Sequence, residues 1–102
     1  MTVTKTSVTV TTVVSEETRL TLEEISTICC ADPEQLAALV GEGVLDPVAG
    51  SAPQDWRFSG ATLSRARLAL RLSRDFELSP AGAALTLQLL DEIRQLRARL
   101  RR

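Results

Sequence analysis

Apolar residues recur at spacings of three and four in four separate stretches of the chain, and each stretch predicts a helix with one buried face. In the first, Leu22, Ile25, Ile28 and Cys29 share a face, while Glu23, Glu24 and Thr27 turn toward water. Thr21 and Glu24 have the spacing of a capping box, so this helix begins after Thr21, and Ala31 is expected to end it. Asp32 as a cap and Pro33 at the first helical position predict the next start, with Gln35 placed to complete a second capping box. Leu36, Leu39 and Val40 form the inner stripe of that second helix, and Gly41 or Gly43 supplies the left-handed residue that stops it. Two short helices joined by a tight turn between Thr21 and Pro47 are the outline of a helix-turn-helix DNA reader.

Downstream, residues 48–55 are rich in Gly, Ser, Ala and Pro and read as a loop. Trp56-Arg57-Phe58 interrupts it as a short extended wing whose two rings share a face and fold back onto the helices as core. Ser59 is placed to cap a third helix running to about Asp75, with Leu63, Ala66, Leu68, Leu70 and Leu72 as its broad apolar face. Ser79 and Pro80 start a last helix that continues to the terminus, roughly 30 Å from Pro80 to Leu100 at 1.5 Å per residue. Its second half carries Leu89, Ile93, Leu96 and Leu100 at spacings of four, three and four, the seam of a short coiled coil. Two heptads are marginal alone, so the seam either joins a second copy or packs on the third helix. The Leu85, Leu87, Leu89 and Leu90 cluster is apolar on more than one side and argues for two neighbours.

The expected architecture is all-α: a winged helix-turn-helix core over residues 19–78, with a short extended wing, and a long C-terminal helix over 79–102 as the dimerisation element. Residues 1–18 precede it. Their first 15 are almost all Thr, Val and Ser, a composition that suits a tail or a short edge strand.

Charge changes the functional picture. The recognition helix of a DNA reader needs donors for phosphates and base edges, yet Asp32 to Glu42 contains no Lys, Arg, Asn or aromatic residue. Residues 1–55 hold nine carboxylates against Lys5 and Arg19, a net −7, whereas residues from 56 onward hold ten arginines against four carboxylates, a net +6. Glu23, Glu24, Glu34, Glu42 and Asp46 are the candidate contact for a basic partner, which they would steer by attraction that weakens as salt rises. An apolar anchor is needed beside them, with Leu39, Val44, Leu45 and Trp56 as the candidates. The arginines of the third helix serve equally well to hold acidic side chains of the same protein or of a dimer mate.

Catalysis finds no support. There is no histidine, adjacent carboxylates on a helix point about 100° apart, and Gly41-x-Gly43 lacks the strand and third glycine of a phosphate loop. No catalytic residue, cofactor or metal is expected. Cys29 faces the core and Cys30 lies beside the turn, so a structural role outweighs a reactive or metal-binding one. No apolar run approaches 18 residues, and Met1 onward lacks the pattern of a leader, which together predict a cytoplasmic protein without membrane contact.

An ordered set of landmarks resembles the CbpM family of chaperone modulators, a branch of the MerR-like winged helix-turn-helix proteins. It runs from Val40-Gly41-Glu42-Gly43-Val44-Leu45-Asp46-Pro47 through Trp56-Arg57-Phe58 and Arg71-Leu72 with Asp75-Phe76-Glu77-Leu78, to Ala84-Leu85-Thr86-Leu87 and Leu90-Asp91-Glu92-Ile93. The Thr- and Val-rich start has no counterpart in that pattern. The resemblance implies a non-enzymatic regulator that binds the J-domain of a DnaJ-like co-chaperone of the CbpA type and inhibits both its stimulation of DnaK and its DNA binding. The competing reading is a MerR-like DNA-binding transcriptional regulator. Its support is the layout, the wing and the arginines of the second half, and its weakness is that those cations stand away from the groove-facing helix.

Overall fold

Thr21 opens the first helix as its spacing predicts. In the computed structural model, which describes residues 18–101, its hydroxyl accepts the Glu24 amide at 3.0 Å and the Glu24 carboxylate accepts the Thr21 amide at 2.8 Å. Helix α1 then spans Leu22–Cys29. It ends one residue earlier than expected, at Cys30 rather than Ala31. Cys30 takes the left-handed conformation at φ 55°, and the Ala31 amide closes the turn on the Ser26 carbonyl at 3.0 Å. The Ser26 hydroxyl also donates to the Ala31 carbonyl, so the turn is held from both sides.

Helix α2 spans Pro33–Gly41 with Asp32 at its N-cap. The second capping box does not form: the Asp32 side chain makes no cap hydrogen bond. Gly43, at φ 82°, is the left-handed residue that turns the chain, while Gly41 remains helical. The turn buries Val44 and Leu45 under α2.

The wing is a loop pinned at its base. Val48 and Ala49 pair with Arg57 through bonds of 2.8 and 3.0 Å, and a one-turn 3₁₀ helix spans Pro53–Asp55. Gly50 is needed there at φ 97°, since a Cβ would strike the Asp55 carbonyl. Strand β1 (Arg19–Leu20) pairs antiparallel with β2 (Phe58–Ser59), joining the wing to the residues before α1. Phe58 is fully buried and meets Trp56 edge to face at 6.1 Å and 76°. Ser59, expected to cap the third helix, instead lies in β2, and Gly60 takes the cap position without a side-chain bond.

Helices α3 (Ala61–Phe76) and α4 (Pro80–Leu100) follow, separated by a left-handed Glu77 at φ 54°. Ser79 caps α4 by accepting the Gly82 amide at 3.1 Å, ahead of Pro80 as the sequence predicts. One core of Leu20, Ile25, Leu36, Leu39, Val44, Leu45, Phe58, Leu63, Ala66, Ala69, Ala83 and Leu87 joins all four helices and the small sheet. This is the all-α winged helix-turn-helix with a long terminal helix that the sequence predicts. The Thr- and Val-rich start lies outside the described residues.

Candidate functional site

The outward side of α2 carries Glu34, Gln35 and, at its end, Glu42, all exposed. Leu36 and Leu39 on the opposite side are 0% and 1% exposed. No cation therefore projects from the helix that a DNA reader would lay in the groove. Two of the carboxylates have structural work of their own: Glu23 and Glu24 lie in the first turn of α1, where negative charge complements the free amides, and Glu24 closes the capping box. Glu34 holds the same position in α2.

The five carboxylates do not form one cluster. Glu23 and Glu24 line a shallow depression with Leu20, Thr21, Thr27 and Ile28, and Glu23 also borders a second one with Pro33 and Gln54. Glu42 and Asp46 line two adjoining depressions that share Gly43, Val44 and Arg65. Glu34 stands at the start of α2 and Glu42 just past its end, so the two groups are separated by roughly the 13 Å length of a nine-residue helix. A single partner helix lying along α2 can reach both groups. A small basic side chain can meet only one.

Of the candidate anchors, Leu39, Val44 and Leu45 are buried at 1%, 4% and 2% exposure and are unavailable. Trp56 is half-buried and Val48, beside it on the wing, is exposed.

A contact that the sequence did not single out ties this region together. Arg65, on α3, donates from Nε to the Val44 carbonyl at 3.0 Å and from its terminal nitrogen to Asp91 on α4 at 3.1 Å. Asp91 also meets Arg94 at 3.5 Å. One guanidinium thus fixes the turn after α2 and the middle of α4 relative to α3. The pair with Asp91 is of the kind expected for third-helix arginines, which hold acidic side chains of the same protein, but no local pattern singles out residues 44, 65 and 91.

Beyond Gln88 the terminal helix leaves the core. Leu89, Ile93, Leu96 and Leu100, the expected dimerisation residues, are 50%, 46%, 54% and 83% exposed, and Leu85 and Leu90 are exposed with them. Packing of the seam on α3, one of the two expectations, is not what the structure has. On a helical projection the seam lies opposite Ala83, Leu87 and Asp91, the side turned to the core.

Cys29 is half-buried and Cys30 exposed. Burial pushes the Cys29 thiol above its usual pKa range, with the neighbouring Arg67 guanidinium pulling part of that shift back, so it is protonated and unreactive near neutrality. Among the described residues no group of three or more His, Cys, Asp or Glu is placed to hold a metal, and no helix is long and apolar enough to cross a membrane.

Comparison with known proteins gives a consistent result. The family model described as MerR HTH family regulatory protein matches residues 20–102. The chain is 33% identical to the chaperone modulatory protein CbpM of Coxiella burnetii (strain Dugway 5J108-111) over 89 residues, which is 87% of this chain and 83% of the relative. It is 35% identical to the CbpM of Pseudomonas putida (strain W619) over 64% of this chain and 63% of the relative. With the CbpM of Pseudomonas putida (strain GB-1) the identity is 38%, over 59% and 58% respectively.

Proposed function

Because this chain belongs to the CbpM family within the MerR-like helix-turn-helix proteins, we propose that it is a chaperone modulator that binds the J-domain of a CbpA-type co-chaperone and inhibits it. The observation that carries this reading is the outer side of α2, where carboxylates stand in place of the cations a DNA reader presents. A basic partner helix laid along α2 would pass from the Glu23 and Glu34 end to the Glu42 and Asp46 end, with Trp56 and Val48 of the wing as apolar contacts. Exposed charges of this kind set the association rate and the salt dependence, while the apolar contacts hold the complex. Occupying the J-domain blocks its delivery to DnaK and its part in DNA binding. The protein acts by contact, without chemistry, in the cytoplasm, and as a dimer joined through Leu89, Ile93, Leu96 and Leu100.

Calorimetry with a purified J-domain at two salt concentrations tests this. Glu24 is left alone because its carboxylate holds α1 together. The pair Glu23→Lys and Glu34→Lys is compared with the pair Glu42→Lys and Asp46→Lys. Each exposed ion pair contributes about 0.2–1 kcal/mol, so removing two of them should weaken binding roughly 2- to 30-fold if that end is in contact. Unchanged affinity for both pairs removes α2 from the interface. Retardation of duplex DNA at micromolar protein, with no J-domain binding, replaces the reading with the transcriptional regulator.

A further inference from the structure

The chain carries both halves of a charge-complementary contact on two of its own helices. From their length and placement we infer that two copies meet across the turn between α1 and α2, with α2 of each on α3 of the other, and so cover the acidic side of α2 that a basic partner needs. The effect on the partner rests on the reading above. The self-pairing does not, and it involves no residue of the terminal helix.

The basic half is a row on α3. Arg67, Arg71 and Arg74 fall within about 60° of one another around the helix axis and span about 10 Å along it. All three are exposed. The acidic half is the outer side of α2, where the exposed Glu34 and Glu42 lie about 12 Å apart with the small Ala38 between them. The rows match in length. Among the described residues Glu34, Glu42, Arg67 and Arg71 make no ion pair, and Arg74 engages only its Nε, with Asp75 at 3.3 Å. Both rows are therefore open to a second molecule, and guanidiniums suit the contact because they hold a carboxylate through two parallel bonds.

Placement sets the register. Arg67 neighbours Cys29 at the end of α1, and α2 begins at Pro33, so the Arg67 end of one row and the Glu34 end of the other flank the same short turn. A two-fold axis through that turn brings like ends together. Glu34 then meets Arg67 of the partner subunit and Glu42 meets Arg74 of the partner subunit, each twice by symmetry. A head-to-tail stack joins one acidic row to one basic row at each contact, whereas the closed pair joins two, which favours closure. Exposed ion pairs are individually weak and screened, so the pair forms as protein concentration rises and dissolves as salt rises. Dilute protein presents α2 to its target; concentrated protein covers it.

Cys30, exposed at the turn, stands beside the proposed axis and next to its counterpart, which makes it a reporter. With the full chain in a Cys29→Ala background, a short bismaleimide should join two Cys30 thiols at low salt and lose most of that yield at high salt. Glu34→Arg should lower the low-salt yield about tenfold, as two symmetric pairs become repulsive. Adding Arg67→Glu should restore it; adding Arg74→Glu should not. Rescue by Arg74→Glu in place of Arg67→Glu overturns the closed pair, and so does a yield indifferent to salt or an absence of cross-link at about hundreds of micromolar protein. Unchanged helical circular dichroism confirms that each variant is folded. The purified cross-linked pair should bind a J-domain at least several-fold more weakly than the free chain, and equal binding overturns the covering of α2. If neither form binds, the J-domain reading fails while the self-pairing stands on the cross-link.

Discussion

Replacing Arg65 by methionine keeps most of the aliphatic stem and removes every donor, which isolates the guanidinium that joins the α2 turn to α4. Two bonds are lost. The ion pair to Asp91 joins groups 38% and 36% exposed, and at that exposure it contributes only about 0.5 kcal/mol. The bond to the Val44 carbonyl differs in kind. Val44 is 4% exposed, and a charged donor to a half-buried carbonyl contributes about 1.5 kcal/mol, because water cannot fully replace it. The expected cost of Arg65→Met is therefore about 2 kcal/mol, against about 0.5 kcal/mol for Asp91→Asn. For a chain of this size, 2 kcal/mol lowers the melting temperature by roughly 8–16 °C. Urea unfolding at one fixed protein concentration should be the assay, since any self-association makes the midpoint depend on concentration. In the double variant the Asp91→Asn substitution should add almost nothing. If Arg65→Met costs no more than Asp91→Asn, the Val44 carbonyl is not a stabilising partner and the reasoning fails.

Glu24→Ala should cost about 0.5–1 kcal/mol by opening the Thr21 amide to solvent, and Glu24→Gln should retain most of that; equal losses in urea midpoint would mean the capping box contributes nothing. At Cys29 the sign follows from its raised pKa. The unfolded thiol ionises first as pH rises, so stability is full below the ordinary thiol range near pH 8.5 and declines above it. Urea midpoints between pH 8 and 10 should fall more steeply for the wild type than for Cys29→Ala, and parallel slopes would refute the assignment. Alkylation of the native protein near neutral pH should modify Cys30 well before Cys29, as mass spectrometry of digested samples can show.

Where the sequence carried a local chemical signal, the fold was legible. Thr21 with Glu24, Ser79 with Pro80, and the paired apolar stripes of α1 and α2 each announce an element through contacts within four residues. Failures came where a distant partner decided. Ser59 has the chemistry of a cap, but pairing with Arg19 places it in a strand, and the cap moves to Gly60. The candidate face was half legible. Its carboxylates could be named from the chain, yet only the folded α2 shows them divided between its two ends. The burial of Leu39, Val44 and Leu45, which removes them as anchors, depends on α3 and α4 lying above them. That third-helix arginines would hold acidic side chains of the same protein was legible, but which arginine and which partners was not, since those of Arg65 are 21 and 26 residues away.

The placement of Glu23, Glu24 and Glu34 in the opening turns of α1 and α2 has an evolutionary consequence. These carboxylates repel phosphate and at the same time stabilise the helices that carry them. Mutating them to arginine or lysine, as a grip on nucleic acid would require, would set cations against the positive ends of both helices and, at Glu24, open a cap. Each such step costs about 0.3–1 kcal/mol in a small domain that has little stability to lose. Placing cations at these positions is therefore uphill from the outset, opposed by the stability of the scaffold itself.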